Sequence, residues 1–278
     1  MTWPGAQLFR STDGGSTYEA VLTQTTAATM GTALTALPDF VEGNIFDEGS
    51  TVSIKMTSGA ALASVTQDQV LNGANLAVIG KPGRWEVIQF KTAVLTAPGT
   101  YQLSGFLRGR RGSEWATGTH QVGDSFILAN VNAWRRITDG DVGLPRMYKA
   151  PAFRIALSAV NATTFTNTAV ALMPYAPTDL TGTREVDGSL TARWNRRSRL
   201  AGGTLNLAVP LGESSEAYSV EVVSGSNVVR TLSVASPIFT YSAADQTADG
   251  ITPGALVTLR IRMISSAVGP GYPLEGTV

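Results

Sequence analysis

Apolar and polar residues alternate along much of this chain with the two-residue period of a half-buried strand, and nowhere with the sustained period of a long helix. The run "TVSIKM" sets Val52, Ile54 and Met56 on one face and Thr51, Ser53 and Lys55 on the other. Further strand-like runs are "WEVIQFKTAVL" (85–95), entered through the turn "KPGR", and "TYQLSGFLRG" (100–109), entered through "APG". The more continuously apolar "DSFILANV" (124–131), "AFRIALSAV" (152–160) and "TAVALMPY" (168–175) follow. The strongest helix signal is "SVTQDQVLNG", with Ser64 available as a cap and Gly73 as a stop. It is short, and it reads as a loop between strands. The pattern predicts an all-β protein.

The rhythm changes near "LMPYAPTDLTG", where Pro174 and Pro177 remove backbone donors and favour extended geometry. Beyond it, "GSLTARWNRRS", "AYSVEVVSG", "NVVRTLSVA", "PIFTYSA" and "ALVTLRIRMISS" recur at regular intervals between turn residues. That spacing predicts a small β-sandwich over residues 173–278. Residues 1–172 are then a separate β-rich region, a barrel or a sandwich, in which Gln24–Pro38 suits either a surface loop or a strand pair.

Composition narrows the function classes. The 278 residues are 43% hydrophobic, enough for sizeable cores and too many for global disorder. Lys+Arg and Asp+Glu are equal at 21 each, which argues against nucleic acid as a partner and suits a protein held in an assembly. The chain has no cysteine and one histidine, so disulfides, thiolate metal sites and cysteine nucleophiles are excluded. The start "MTWPGAQLFRSTDGG" has no signal-peptide character, and no apolar run approaches the ~18–20 residues of a membrane span. Synthesis in the cytosol is expected.

The densest collection of reactive side chains is "GFLRGRRGSEWATGTH" (105–120), with Arg108, Arg110, Arg111, Glu114, Trp115 and His120. Catalysis would need a nucleophile beside an oriented base, and no such motif accompanies it. Arginines without interleaved aromatic residues are a weak polyanion signal. The pattern predicts a turn whose arginines pair with carboxylates, inside the fold or across a subunit interface, with Glu114 as the nearest candidate. "RWNRRSRLAGG" carries Arg193, Arg196, Arg197 and Arg199 around Trp194. Strand alternation puts Trp194 with Arg196 on one face and Arg193, Arg197 and Arg199 on the other. Trp194 is expected in the sandwich core, and the arginines on a solvated edge or an interface, with Glu213 and Glu216 within reach. The candidate interface set is therefore Arg108, Arg110, Arg111, Glu114, Trp115, Arg196, Arg197 and Arg199.

Other motifs have plainer readings. "STDGGSTY" (11–18) fits the Asp-box pattern once and predicts a hairpin turn held by Asp13. Asp139 and Asp141 in "TDGDVG" lack the remaining ligands of a calcium loop. Glu86, beside Trp85, is the one carboxylate in an aromatic setting that would suit glycosidase chemistry. No phosphate-binding loop and no Gly-x-Ser-x-Gly elbow is present, and neither a cofactor nor a metal is expected.

Four blocks occur in order: "WPGAQLFRSTDGGSTY", "LNGANLAVIGKPGRWEVIQFKTAVL", "YQLSGFLRGRRGSEWATGTHQVGDSFILA" and "RWNRRSRLAGG…PLGESSEAYSVEV". Together they resemble the C-terminal region of the large tail-tip hub proteins, the "host specificity" or baseplate class, of long-tailed bacteriophages and gene transfer agents. The resemblance runs from Trp3 to Glu221. It implies a non-enzymatic structural protein of the virion tail tip, made in the host cytoplasm and most simply a trimer. Its partners would be distal-tail, hub and fibre proteins. The cell-wall hydrolase of some larger relatives is not expected in a chain of this length. The segment from Pro177 and Leu180 through Leu190, Trp194, Tyr218, Val220 and Val222 resembles a fibronectin type III domain, although Val257 stands where that family's corner tyrosine would. An alternative is a module that binds host-surface glycans by stacking on Trp3, Trp115 and Trp134.

Overall fold

A computed structural model describes residues 3–41, 45–57, 60–129, 138–200 and 209–278. Trp134 and the side chain of Asp139 lie outside the described set. The chain forms two compact units, Met1–Ala169 and Val170–Val278.

The first unit contains β1 (Ala6–Ser11), β2 (Glu19–Gln24), β3 (Met30–Ala33), β4 (Phe46–Met56), a short α1 (Gln67–Leu71) and β5 (Leu76–Gly80). It continues with β6 (Glu86–Ala97), β7 (Thr100–Leu107), β8 (Ser125–Leu128), β9 (Pro145–Lys149) and β10 (Thr163–Thr166). Six strands close into an antiparallel barrel in the order β3-β4-β7-β6-β5-β8. Closure removes sheet edges and leaves one enclosed interior, which side chains fill. The inward positions of β4, Val52, Ile54 and Met56, are buried as the alternation predicts. They pack with Ile79, Ile88, Phe90, Leu103, Phe106 and Phe126. The remaining strands form a separate sheet, β10-β9-β1-β2.

Three expectations fail, two in this unit and one across its boundary with the second. The 64–73 segment does fold as a helix, and its cap is Thr66, not Ser64. Thr66 and Gln69 form a reciprocal capping box, while Ser64 Oγ accepts from the Ala93 amide at 2.9 Å and so pins the loop to β6. "AFRIALSAV" is not a strand: Arg154 adopts φ 72 and Leu157–Ala159 is a 3-10 turn, so the extended path is broken. "TAVALMPY" fails likewise, with Ala169 at φ 60 and a 3-10 turn over Val170–Leu172. Both runs are apolar enough to be strands, but among the described residues the first makes only a single bridge, Ala152 to Ala6, and the second forms no strand.

The Asp-box segment is the hairpin turn between β1 and β2. Asp13 accepts from the Thr17 amide at 2.9 Å and the Thr17 hydroxyl at 2.6 Å, and Gly14 and Gly15 take φ 73 and 96. Those bonds to Thr17, with one from Ser11, hold the Asp13 carboxyl well below the usual carboxylate range.

The second unit contains β11 (Thr178–Arg184), β12 (Leu190–Asn195), β13 (Tyr218–Ser224), β14 (Asn227–Val234) and β15 (Ile238–Tyr241). After α2 (Ala243–Ala248) come β16 (Thr258–Ser265), β17 (Gly269–Pro270) and β18 (Leu274–Thr277). One sheet has the order β11-β12-β15, the other β14-β13-β16, with β17 and β18 along β16. This is a fibronectin type III-like sandwich. Its core joins Trp194, Tyr218, Val220, Val222, Leu259 and Ile261, with Trp194 edge-on to Tyr218 at 5.3 Å. Val257 is buried at the missing corner position. A different tyrosine ties down the β15–β16 connection: Tyr241 donates its hydroxyl to Asp249 at 2.6 Å, just past α2. Burial, then the Asp249 carboxylate, push the Tyr241 phenol well above its ordinary value. No helix among the described residues is long and apolar enough to cross a membrane.

Candidate functional site

The barrel's strand directions place three connections at one end: 34–45 after β3, 81–85 after β5, and 108–124 after β7. A single branched network of buried charges ties all three. On β6, Glu86 shares a face with Ile88 and Phe90, so alternation aims a carboxylate into the barrel mouth. Burial alone would cost such a group several kcal/mol. Arg108 answers it with a two-pronged bond, Nε to Oε1 and Nη2 to Oε2, each 2.9 Å. The Gly109 amide adds a third bond at 2.7 Å. Gly109 sits at φ 55, and a Cβ there would lie 2.7 Å from Glu114 Cγ, so this approach needs glycine.

Arg108 then spends its Nη1 on the next connection. It donates to the Pro38 carbonyl at 2.9 Å and to Asp47 Oδ2 at 3.1 Å. On the other side of Glu86, His120 Nε2 donates to Oε2 at 2.6 Å, since an ionised carboxylate can only accept. His120 Nδ1 lies 3.4 Å from Asp124 Oδ2 without a hydrogen bond. Asp124 is clasped by Arg84, which also donates to the Thr119 carbonyl at 2.7 Å. Thr117 adds a bond to Asp39 at 2.6 Å. The chain of groups is thus Arg84, Asp124, His120, Glu86, Arg108, Asp47, with cationic or imidazole groups alternating with carboxylates.

The side chains of Glu86, Asp124, His120 and Arg108 are at most 1% exposed. Burial pushes the Glu86 carboxyl up, but the bonds from His120, Arg108 and the Gly109 amide outweigh it and hold the group below its ordinary value. Asp124 shows the same balance: burial raises it, and Arg84 and the Gln121 amide bring it below its ordinary value. Both carboxylates are held as anions with their oxygens engaged. The arrangement locks the loops of the barrel end to one another.

The other singled-out residues fall into separate places. Arg108 takes the inside-the-fold alternative and is buried, so it does not belong to the candidate interface set; its two-pronged partner is Glu86 rather than Glu114, because a barrel-end carboxylate demanded a buried cation. Arg110 is half-buried in a 3-10 turn and Arg111 is exposed at φ 57. Glu114 is half-buried, and Trp115 is 39% exposed, as is Trp3. Asp141 holds no calcium-loop geometry: its oxygens accept from Arg10 at 3.0 Å and Arg146 at 2.8 Å. In the sandwich, β12 ends at Asn195, so the alternation invoked for Arg196, Arg197 and Arg199 does not apply to them. Arg196 binds Glu216 at 3.0 Å and Arg199 binds Glu213, the partners within reach in the sequence. Arg197 lies over the Tyr175 ring at 5.2 Å. Asp47, Arg84, Asp124 and the Pro38 carbonyl were not singled out by motif. A charged residue directly before or within an apolar strand run, as in "GDSFIL" and "IFDEGSTVSI", was the available signal.

The fold and site together define a protein built of a charge-clasped β-barrel and a fibronectin type III-like sandwich. Residues 28–127, which take in β3 to β7 and all but the last residue of β8, match the family described as Rcc01698-like, C-terminal. No curated protein matches the sequence. Solved structures that match include domains d3–d4 of the rat CD45 extracellular region, at 14% identity and TM-score 0.29, covering 54% of this chain and 71% of that one. Titin domains A168–A170 match at 10% identity and TM-score 0.27, covering 90% and 99%. The chicken CNTN1 FN1–FN3 domains match at 8% and 0.27, covering 98% and 90%. Superpositions this loose add nothing to what the strand order shows.

Proposed function

We propose that this protein is a structural part of the tail tip of a long-tailed phage or gene transfer agent, joining the end of the tail tube to host-recognition parts and acting without catalysis. The observation that carries the proposal is the fate of Gly105–His120. This block belongs to the strongest stretch of the sequence resemblance, and its Arg108, Gly109 and His120 are committed to bonds with Glu86 and, through Arg108, the Pro38 carbonyl at the barrel end. A segment so committed serves architecture. Support also comes from the equal charge count and from the four sequence blocks that resemble hub proteins in order.

The test is to locate the chain in purified particles and to delete its gene. Particles with incomplete or absent tail tips are the expected result; complete, infective particles without the chain would sink the proposal. A second reading, adhesion to host glycans, is favoured by the partial exposure of Trp3 and Trp115. A glycan array with the purified chain tests it, with Trp115→Ala as the control that should abolish any signal.

A further inference from the structure

The helix α1 ends on a dipeptide that the sequence does not repeat. Asn72 is the one asparagine followed by glycine. It is the C-cap of α1, at φ -84 and ψ 11, and Gly73 follows at φ 97. Both residues are exposed. Asparagine before glycine is the sequence in which a backbone nitrogen most readily attacks a side chain, because glycine has no Cβ to crowd the approach. The uncharged carboxamide is also a better electrophile than an anion. Asp13, Asp187 and Asp249 precede glycine too, but each is held as a carboxylate below its ordinary value, first by Thr17, Ser189 and Arg230 respectively.

The folded turn keeps both reacting groups occupied. The Gly73 amide donates to the Val70 carbonyl at 2.9 Å, and Asn72 Nδ2 donates to the Asp68 carbonyl at 2.8 Å. A helix of five residues does not persist by itself, since ~12–15 are needed for marginal stability in water. Two devices hold this one. At its start is the capping box of Thr66 and Gln69. At its end, Gln89 of β6 donates Nε2 to the Val70 carbonyl at 2.6 Å and to the Ala74 carbonyl at 2.9 Å, so it bridges the residues on either side of the Asn72–Gly73 step. Val70 is fully buried and Gln89 is 4% exposed.

We propose that Asn72 is a site of spontaneous modification, deamidation to aspartate and isoaspartate, and that α1 and Gln89 set its rate by keeping the Gly73 nitrogen bonded to Val70. When the turn opens, the Gly73 nitrogen loses its proton to hydroxide and attacks Asn72 Cγ. The Cγ–Nδ2 bond breaks, the nitrogen takes up a proton and leaves as ammonia, and a cyclic imide closes. Water then adds to either imide carbonyl, giving aspartate or isoaspartate. The sum is water taken up and ammonia released, with no change in oxidation state. The product works against the turn that protected it. A carboxylate cannot donate to the Asp68 carbonyl, and it stands one turn from the Asp68 side chain at the negative end of the helix. Isoaspartate also lengthens the backbone between residues 72 and 73 by a carbon, which shifts the Gly73 amide away from Val70. The inference goes beyond the tail-tip reading and does not depend on it.

The test is peptide mapping by mass spectrometry of the full chain, stored at neutral and at mildly alkaline pH, for the exchange of an amide for a carboxyl at residue 72. Asn72 should convert ahead of every other asparagine, faster at the higher pH, and much faster in denaturant than in the folded chain. Gln89→Ala should speed conversion in the folded chain about tenfold, because the opened turn becomes more populated. Thr66→Ala, at an exposed cap, should speed it several-fold with an unchanged circular dichroism spectrum. Asn72→Asp should raise hydrogen exchange at the Ala74 amide, which bonds the Gln69 carbonyl at 2.9 Å. Equal rates with and without denaturant, another asparagine converting first, or a folded Thr66→Ala chain that converts no faster than the unaltered one would overturn the proposal.

Discussion

The barrel end and the outer face of the sandwich both carry chains of alternating charge, yet they hold different stakes. In the barrel, Glu86 and Arg108 are sealed from water and each bridges a different connection. On the sandwich, Glu221 of β13 meets Arg260 at 3.2 Å and Arg262 at 3.0 Å on β16, and Arg260 reaches Glu275 of β18 at 2.7 Å. These side chains remain about a fifth to a half exposed. Water can take over from any lost partner there, whereas at the barrel end nothing can. Burial, more than the number of ion pairs, sets what such a network does for the fold.

The sharpest test of that contrast is Arg108→Ala. It strands Glu86 and Asp47 and frees the Pro38 carbonyl, so a loss of about 3–5 kcal/mol from the barrel's unfolding free energy is expected in denaturant titration. Acid should act next. Glu86 and Asp124 have folded-state proton affinities below their ordinary values, near 4.5 and 3.8. Their stabilisation is complete above those values and is lost as pH falls through the lower folded ones. Barrel stability should hold from neutrality to about pH 5 and then decline, by about 1.4 kcal/mol for each tenfold difference in proton affinity. Hydrogen exchange at the Arg108 and Gly109 amides, followed from pH 6 to pH 3, reads this directly; a loss that begins on raising pH would contradict it.

Within the sandwich, Tyr241→Phe removes the tether to Asp249 while Arg230 still holds that carboxylate. A loss of about 1.5 kcal/mol is expected in the denaturation midpoint of that unit. The smallest effect belongs to Glu221→Gln, at about 0.5 kcal/mol, and it should shrink further in high salt. If Glu221→Gln cost as much as Arg108→Ala, the distinction between the two networks would collapse.

Much of the architecture was legible because it is local. Val52, Ile54 and Met56 alternate within one strand, and Trp194, Tyr218 and Ile261 sit in runs bounded by turn residues. The Asp-box turn closes within four positions of Asp13, through Ser11 and Thr17. Apolar character alone misled at Ala152–Val160 and Thr168–Tyr175, because a strand also needs a neighbour to receive its hydrogen bonds. The same limit hid β9 and β10, whose mixed sequences are strands because β9 pairs with β1 and β10 with β9. The helix at Gln67–Leu71 was discounted for its length, yet Gln89 reaches across from β6 to the Val70 carbonyl at 2.6 Å and holds it.

The sequence by itself determined the all-β class, the sandwich core around Trp194, and the importance of the stretch Gly105–His120. It could not decide what that stretch does. Arg108 meets Asp47 across 61 positions and the Pro38 carbonyl across 70. Only closure of the barrel brings those groups to one point and shuts water out. Between a carboxylate inside the fold and one across an interface, Arg108 was turned inward by a carboxylate that alternation had aimed into the barrel, because a buried charge is tolerated only with its opposite in contact.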